Sequence, residues 1–140
     1  MRKLAAFGLL LLLGACTEQL EASRVAVAAC RAPLKAGIQV DLYFGRDKAG
    51  RGEVSETEWS TFLAEEVTPK FPDGLSVLDV AGQFREPSGR IVRERTKLLT
   101  IVVFDAPNHL ARVQQVVGAY NARFGQHGVF RVEKPVCAGL

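Results

Sequence analysis

The spacing of apolar residues switches between a period of two and a period near 3.6 along residues 38–136, and this order constrains the fold more than any other feature of the sequence. Helical spacing predicts one helix from Ser55, which forms a capping box with Glu58, and a second helix from near Pro107. Alternation predicts four β-strands, at residues 38–45, 75–85, 91–104 and 129–136. The order strand, helix, strand, strand, helix, strand is that of the ferredoxin-like fold.

The turn Pro87-Ser88-Gly89 predicts that the second and third strands form a hairpin with a three-residue loop. Glu86 then lies opposite Arg90, and the same register fixes every pair along the two strands. It sets Leu78 opposite Leu98 and Asp79 opposite Lys97. Apolar residues therefore meet apolar residues and acids meet bases, as cross-strand energetics favour.

Each predicted helix has one apolar stripe, so the two helices cover one face of a four-stranded antiparallel sheet and leave the other face open. The fold class is α+β. We predict a ligand-binding surface on the open face, because acids and guanidinium groups lying together can bind an anionic or hydroxylated small molecule. An ordinary solvated face with weak ion pairs is the alternative. The residues assigned to this surface are Tyr43, Asp79, Gln83, Arg85, Arg93, Arg95 and Lys97.

A group of apolar residues is assigned to the same open face. Uncovered apolar positions predict a partner surface, either for a second copy of the chain or for another envelope protein. Residues 17–37 folding back over the face are the competing possibility. The residues concerned are Leu75, Val77, Leu99, Ile101 and Val103.

The first fifteen residues have the layout of a secretory signal, with Arg2 and Lys3 before an apolar run at residues 4–13. That run is about half of the roughly twenty residues that a membrane-spanning helix needs. The residues Leu13-Gly14-Ala15-Cys16 resemble the lipobox of bacterial lipoproteins, in which the cysteine is lipid-modified, with palmitate among the acyl groups. The predicted organisation is a signal peptide at 1–15, a lipidated N-terminus and tether at 16–37, and a ferredoxin-like domain at 38–137.

Lipid on Cys16 would make the membrane a partner of the protein and would keep the domain in the bacterial cell envelope, facing the periplasm. Thr17 follows the cysteine, whereas aspartate at that position marks inner-membrane retention in lipoproteins of enteric type. For a Gram-negative cell we therefore expect the outer membrane rather than the inner membrane.

The remaining cysteines, Cys30 and Cys137, lie near the two ends of the predicted domain. An oxidising envelope permits a disulfide between them, because the first and last strands of this fold are antiparallel neighbours. Two free thiols are the alternative. No cysteine or histidine has zinc-ligand spacing, so no metal site is predicted. His109 and His127 are expected to be surface residues.

Four segments carry a resemblance to a bacterial family known as protein of unknown function 3574. They are Asp41-Leu-Tyr-Phe-Gly45, Val54-Ser55 with Glu58-Trp59, Val67-Thr-Pro-Lys-Phe-Pro-Asp-Gly74, and Val80-Ala-Gly-Gln-Phe-Arg85. The resemblance covers about three quarters of the chain, and its lipoprotein members make the envelope an expected location. It implies no mechanism.

Several function classes lack support in the sequence. The formal charge of +3 falls to +1 without Arg2 and Lys3, and no stretch concentrates positive charge, so nucleic-acid binding is not expected. No motif for hydrolysis, phosphate loops or dinucleotides occurs, and no cofactor is predicted. The favoured function is a lipid-anchored module that binds a small molecule or a protein. The alternative is a small cofactor-free enzyme of the dimeric α/β-barrel type that uses the open face.

Overall fold

The computed structural model describes residues 30–48 and 51–140. The signal peptide, Cys16 and the tether up to residue 29 lie outside the described residues. The first helix, α1 (Glu56–Phe62), continues directly into a π-helical segment, Leu63–Val67, at whose end the Thr68 amide donates to the Leu63 carbonyl at 2.8 Å. The elements are β1 Lys35–Gly45, α1 Glu56–Phe62, β2 Ser76–Arg85, β3 Ile91–Val103, α2 His109–Phe124 and β4 Phe130–Ala138.

The four strands form one antiparallel sheet in the order β2-β3-β1-β4. This order, with both helices on one face, is the predicted ferredoxin-like arrangement. The predicted β2–β3 register is confirmed, since Leu78 pairs with Leu98 and Asp79 with Lys97. The hairpin turn is also confirmed, because the Glu86 amide donates to the Arg90 carbonyl.

The core lies between the sheet and the two helices. Its centre is a cluster of aromatic rings in which Phe44 on β1 contacts rings from both helices, with centroids 4.7 Å from Tyr120 and 5.2 Å from Trp59. The predicted capping box at Ser55 and Glu58 is present and fixes the start of α1. Trp59 and Tyr120 are buried, so both helices direct their aromatic residues into the same core.

The predicted faces of β2 and β3 are wrong. Strand β1 pairs Leu42 with Leu99 and Val40 with Ile101, so the odd-numbered residues of β3 lie on the helix-covered face. The five apolar residues assigned to the open face belong to the core or pack against it. Residues 98–103 are almost continuously apolar, so alternation within β3 could not decide which side is buried.

A disulfide between Cys30 and Cys137 closes the edge of the sheet, as predicted. The two Cα atoms are 5.5 Å apart, and the cysteines are 107 positions apart in the sequence. Strand β1 begins at Lys35, three residues before the predicted start, because Lys35 pairs with Ala138 on β4 beside the disulfide. The first described residue and the last strand are therefore held together at one end of the sheet.

Candidate functional site

The open face of the sheet carries a concavity of about 630 Å³, which we call the open-face pocket. The rings of Phe84 and Phe130 line it and are 52% and 70% exposed. The Tyr43 ring contacts the Phe130 ring with centroids 5.6 Å apart. Thr96 and Gly82 also line the pocket, and Thr96 is buried although no helix covers this face. The pocket therefore has aromatic sides and small or neutral residues between them.

Glu94 supplies the carboxylate of the open-face pocket. Its side chain lies over Gly45. A Cβ atom at position 45 would lie 2.8 Å from the Glu94 Cδ, so any larger residue there would clash with Glu94. On the opposite side of the sheet the Tyr120 hydroxyl donates to the Gly45 carbonyl at 2.8 Å. Burial raises the pKa of Tyr120, so this hydroxyl remains a donor at physiological pH. Tyr120 thus fixes the end of β1 on the helix side, and the lack of a side chain at Gly45 leaves room for Glu94 on the open face.

A second carboxylate on the open face, Asp41, has a different environment. The Thr100 hydroxyl donates to it at 2.8 Å and the Gln39 amide donates at 2.9 Å, while the Lys134 ammonium lies 3.9 Å away. Asp41 is 8% exposed. Its hydrogen-bonding capacity is used by its neighbours, so we do not include it in the candidate site.

A larger concavity of about 870 Å³, the hairpin cleft, lies where β2 and β3 extend beyond the end of β1. Arg95 faces Glu53 across it at 3.5 Å, and both side chains are exposed. Arg90 pairs with Glu86 at the hairpin turn. The cleft carries charged side chains of both signs, together with two amides and an imidazole. The residues are Arg90, Arg93, Arg95, Asp47, Glu53, Glu86, Glu94, Gln83, Gln126 and His127.

The open-face pocket and the hairpin cleft adjoin each other. They share a border of six residues: Ala81, Gly82, Gln83, Phe84, Glu94 and Gln126. The Gln126 side-chain amide donates to the Asp47 carbonyl, which ties the loop after α2 to the loop after β1 at this border. A molecule bound around Glu94 would contact an aromatic region on one side and guanidinium groups on the other.

Lys97 and Arg46 form a buried ion-pair cluster under α1, apart from both concavities. Each cationic side chain is 4% exposed, and Glu56 and Asp79 close the cluster from the solvent side. The Lys97 ammonium lies 2.6 Å from Asp79 and 2.8 Å from Glu56. Burial opposes the charge of Lys97, but these hydrogen bonds outweigh it and raise its pKa. The hydrogen bond from Lys97 lowers the pKa of both carboxylates.

The structure divides the predicted site residues among four places. Tyr43 lies on the open face, as predicted, and lines the open-face pocket. Asp79 and Lys97 belong to the ion-pair cluster on the helix side, so their assignment to the open face is wrong. Arg85 pairs with Ile91 at the hairpin end and lines neither concavity. Arg93 and Arg95 have the same parity along β3 as Lys97, so their assignment to the open face is also wrong. Together with Gln83 they line the hairpin cleft.

Several residues of the site were missed by the sequence analysis. Phe84 and Glu94 lie on β2 and β3, for which the sequence predicts the opposite face to be exposed. Phe130 lies on β4, where the sequence predicts no ligand-binding residue. The alternation of Glu94 with Arg93 and Arg95 already indicated that they lie on opposite faces of β3. His109 is 3% exposed rather than a surface residue, and its Nε2 lies 3.6 Å from Glu133 on β4.

Within residues 30–48 and 51–140, no group of three or more His, Cys, Asp or Glu side chains could hold a metal ion. The helices in that same part of the chain include none that is long and apolar enough to cross a membrane.

The fold and its uncovered face define a small α+β domain of the ferredoxin-like class. Residues 39–140 match the family model described as Protein of unknown function (DUF3574), and the chain belongs to that family. No curated protein matches the chain.

Solved structures with a similar fold include two described as phage SAM lyase. The one in complex with S-methyl-5'-thioadenosine has a TM-score of 0.56 and 15% identity, covering 73% of this chain and 90% of that chain. The one in the apo state has a TM-score of 0.58 and 13% identity, with coverages of 74% and 86%. At these identities the likeness shows the fold alone.

Proposed function

We propose that this protein is a lipid-anchored module of the bacterial cell envelope that binds a small molecule around Glu94. The observation that carries the proposal is the meeting of two concavities at one border, with aromatic rings in one and charged groups of both signs in the other. Small-molecule sites have this character, since apolar walls bury the ligand and a few polar groups fix its orientation.

The position of the border suits a tethered module. The disulfide lies where Lys35 pairs with Ala138, whereas the border lies near Gly45, at the opposite end of β1. Ten residue steps along a strand correspond to about 34 Å. A chain anchored through Cys16 would therefore present both concavities away from the end at which it is attached.

Lipid anchoring is tested by replacing Cys16 with serine and by labelling cells with a palmitate analogue. We expect label in the wild-type protein and none in the Cys16→Ser variant, because the thiol is the acceptor of the lipid. Mass spectrometry of a wild-type mature chain with an unmodified Cys16 would contradict the anchor.

Ligand binding is tested by NMR titration of the full chain with four single probes: S-methyl-5'-thioadenosine, phosphate, glutamate and choline. We expect at least one probe to shift the amides of Gly82, Glu94 and Gln126 in a saturable way. The amides of Lys35 and Ala138, at the far end of the sheet, serve as internal controls. If none of the probes shifts the border amides at millimolar concentration, small-molecule binding at this site is refuted.

A cofactor-free enzyme enclosed between two copies is the second candidate. The observation in its favour is a set of apolar side chains on the open face that the helices leave uncovered: Leu78, Phe84, Phe130 and Val132, which are 50%, 52%, 70% and 36% exposed. Sedimentation of the protein over a hundredfold concentration range tests it. A concentration-independent monomer would remove the enclosed site and this candidate with it.

A further inference from the structure

We propose that the open-face pocket takes a compact organic cation of the quaternary ammonium type. This inference rests on the proposed small-molecule function and narrows it to one chemical class. It follows from the charge of the pocket, the state of its carboxylate and the nature of its walls.

The charge of the open-face pocket is set by the side chains that line it. Among the described residues that line it, Glu94 is the single residue of the Asp, Glu, Lys and Arg types. The other polar side chains there are neutral: Tyr43, Gln83, Thr96 and Gln126. The pocket therefore favours a positive charge, whereas an anion seated in it would meet the Glu94 carboxylate with no lysine or arginine among the described residues that line the pocket.

Glu94 has few polar partners of its own. Its Oε1 accepts a hydrogen bond of 3.3 Å from the Asp47 backbone amide. In the part of the chain that the structure describes, its carboxylate forms no ion pair with a lysine or arginine nitrogen within 4.0 Å. Asp79, in contrast, has the Lys97 ammonium at 2.6 Å. Glu94 is half-buried, so a cation beside it would interact through a medium less polar than bulk water.

Aromatic rings form the walls of the open-face pocket. Phe84 and Phe130 leave most of their rings uncovered, and Tyr43 adds a third ring in contact with Phe130. Faces of aromatic rings carry negative electrostatic potential and attract cations within about 6 Å. A quaternary ammonium group has a methyl surface as well as a charge, so it can bury these rings without demanding hydrogen bonds. An anionic or strongly hydrated ligand cannot.

The experiment compares choline with its neutral isostere, 3,3-dimethylbutan-1-ol, in NMR titrations of the full chain. Both probes have the same shape, so the ratio of their affinities isolates the charge. We expect saturable shifts at the amides of Gly82, Thr96 and Gly128, with choline binding at least about fivefold more tightly than the isostere.

Variants with matched controls test the two recognition elements. Glu94→Gln keeps the size of the side chain and removes its charge, and we expect it to weaken choline about fivefold while leaving the isostere unchanged. Its control is Glu65→Gln, an exposed glutamate on the π-helical segment. Phe130→Leu removes a ring that is 70% exposed and should also weaken choline, whereas Phe104→Leu removes a ring outside the pocket that is 53% exposed and should not.

The outcomes separate this inference from the proposed function. Equal affinity for choline and the isostere, or an unchanged affinity for choline in Glu94→Gln, would overturn the cation assignment. If phosphate, glutamate or S-methyl-5'-thioadenosine binds at the border while choline does not, the cation assignment fails and the binding function stands. If no probe shifts the pocket amides, both fail.

Discussion

Two neighbouring leucines on β3 provide a direct test of which face of the sheet is buried. Leu99 is fully buried against the core, and its cross-strand neighbours are Leu42 and Val77. Leu98 is half-buried on the open face between Tyr43 and Leu78. The two residues have the same chemistry and adjacent positions, so they differ in their environment alone.

The expected costs of substitution by alanine differ by a measurable amount. Leu99→Ala should lower the free energy of unfolding by about 3 to 5 kcal/mol, because it removes buried methyl groups and leaves a cavity in a close-packed core. Leu98→Ala removes three carbons that are partly exposed, at about 0.8 kcal/mol for each when fully buried, and it leaves no closed cavity. Its expected cost is about 1.5 to 2 kcal/mol.

Urea denaturation of the two variants, followed by tryptophan fluorescence, measures the difference. A gap of about 2 kcal/mol separates the midpoints by about 1.3 M urea if the slope is about 1.5 kcal/mol per M. The measurement is repeated at two protein concentrations, because a self-associating open face would make the Leu98 variant concentration-dependent. A cost for Leu98→Ala equal to or above that for Leu99→Ala would refute the assignment of faces.

Three further predictions concern stability. Replacing both Cys30 and Cys137 by serine should lower the free energy of unfolding by up to about 4.7 kcal/mol, the value of the chain-entropy model for a loop of this length. Equal urea midpoints for the serine variant and the oxidised wild type would contradict this prediction. Tyr120→Phe should cost about 0.5 to 1.5 kcal/mol, because it removes the hydrogen bond to the partly buried Gly45 carbonyl. Thermal unfolding measures this cost, and an unchanged midpoint would show that the hydrogen bond adds nothing. The hydrogen bond from Lys48 and the capping box lower the pKa of Glu58 from 4.5 to about 2. The stabilisation from this carboxylate is therefore complete above pH 4.5 and is lost as the pH falls towards 2. Glu58→Gln should reduce the dependence of the free energy of unfolding on pH in that window, and an unaltered acid profile would count against this prediction.

The strand order, the hairpin register and the disulfide could be predicted because each depends on a local pattern or on the order of the elements along the chain. The turn at residues 87–89 fixes the pairing of β2 with β3, and complementary pairs such as Asp79 with Lys97 support it. The disulfide follows from the adjacency of β1 and β4 in this topology. These signals depend on a few neighbouring residues or on the order of the elements, both of which the sequence displays.

The assignment of faces failed because it depends on contacts between distant segments. Lys97 is a charged residue in an apolar strand, and alternation alone places it in solvent. In the folded protein Glu56 from α1 and Asp79 from β2 accept its hydrogen bonds, so the burial of the charge is tolerated. Those partners come from separate parts of the chain, and their meeting is a result of folding rather than a pattern in the sequence.

Some residues of the candidate site could be predicted from the sequence and others could not, for a related reason. Arg93 and Arg95 were recognised from their charge, and they do line a concavity. Glu94 and Phe130 belong to β3 and β4, which are not neighbours in the sheet, and the pocket between them exists because β1 ends at Gly45. The size of that gap depends on the residues at which the strands end, and apolar periodicity defines these bounds less well than it defines the strands themselves.

The disulfide also has a mechanical consequence. A force applied to the chain before Cys30 reaches β1 through the backbone and reaches β4 through the sulfur atoms at the same time. The two strands are therefore loaded together, and β1 cannot be peeled from β4 one hydrogen bond after another starting at Lys35. A domain pulled from its N-terminal side must instead open elsewhere, for example between β1 and β3, so the disulfide removes one route by which tension on the anchor could open the sheet.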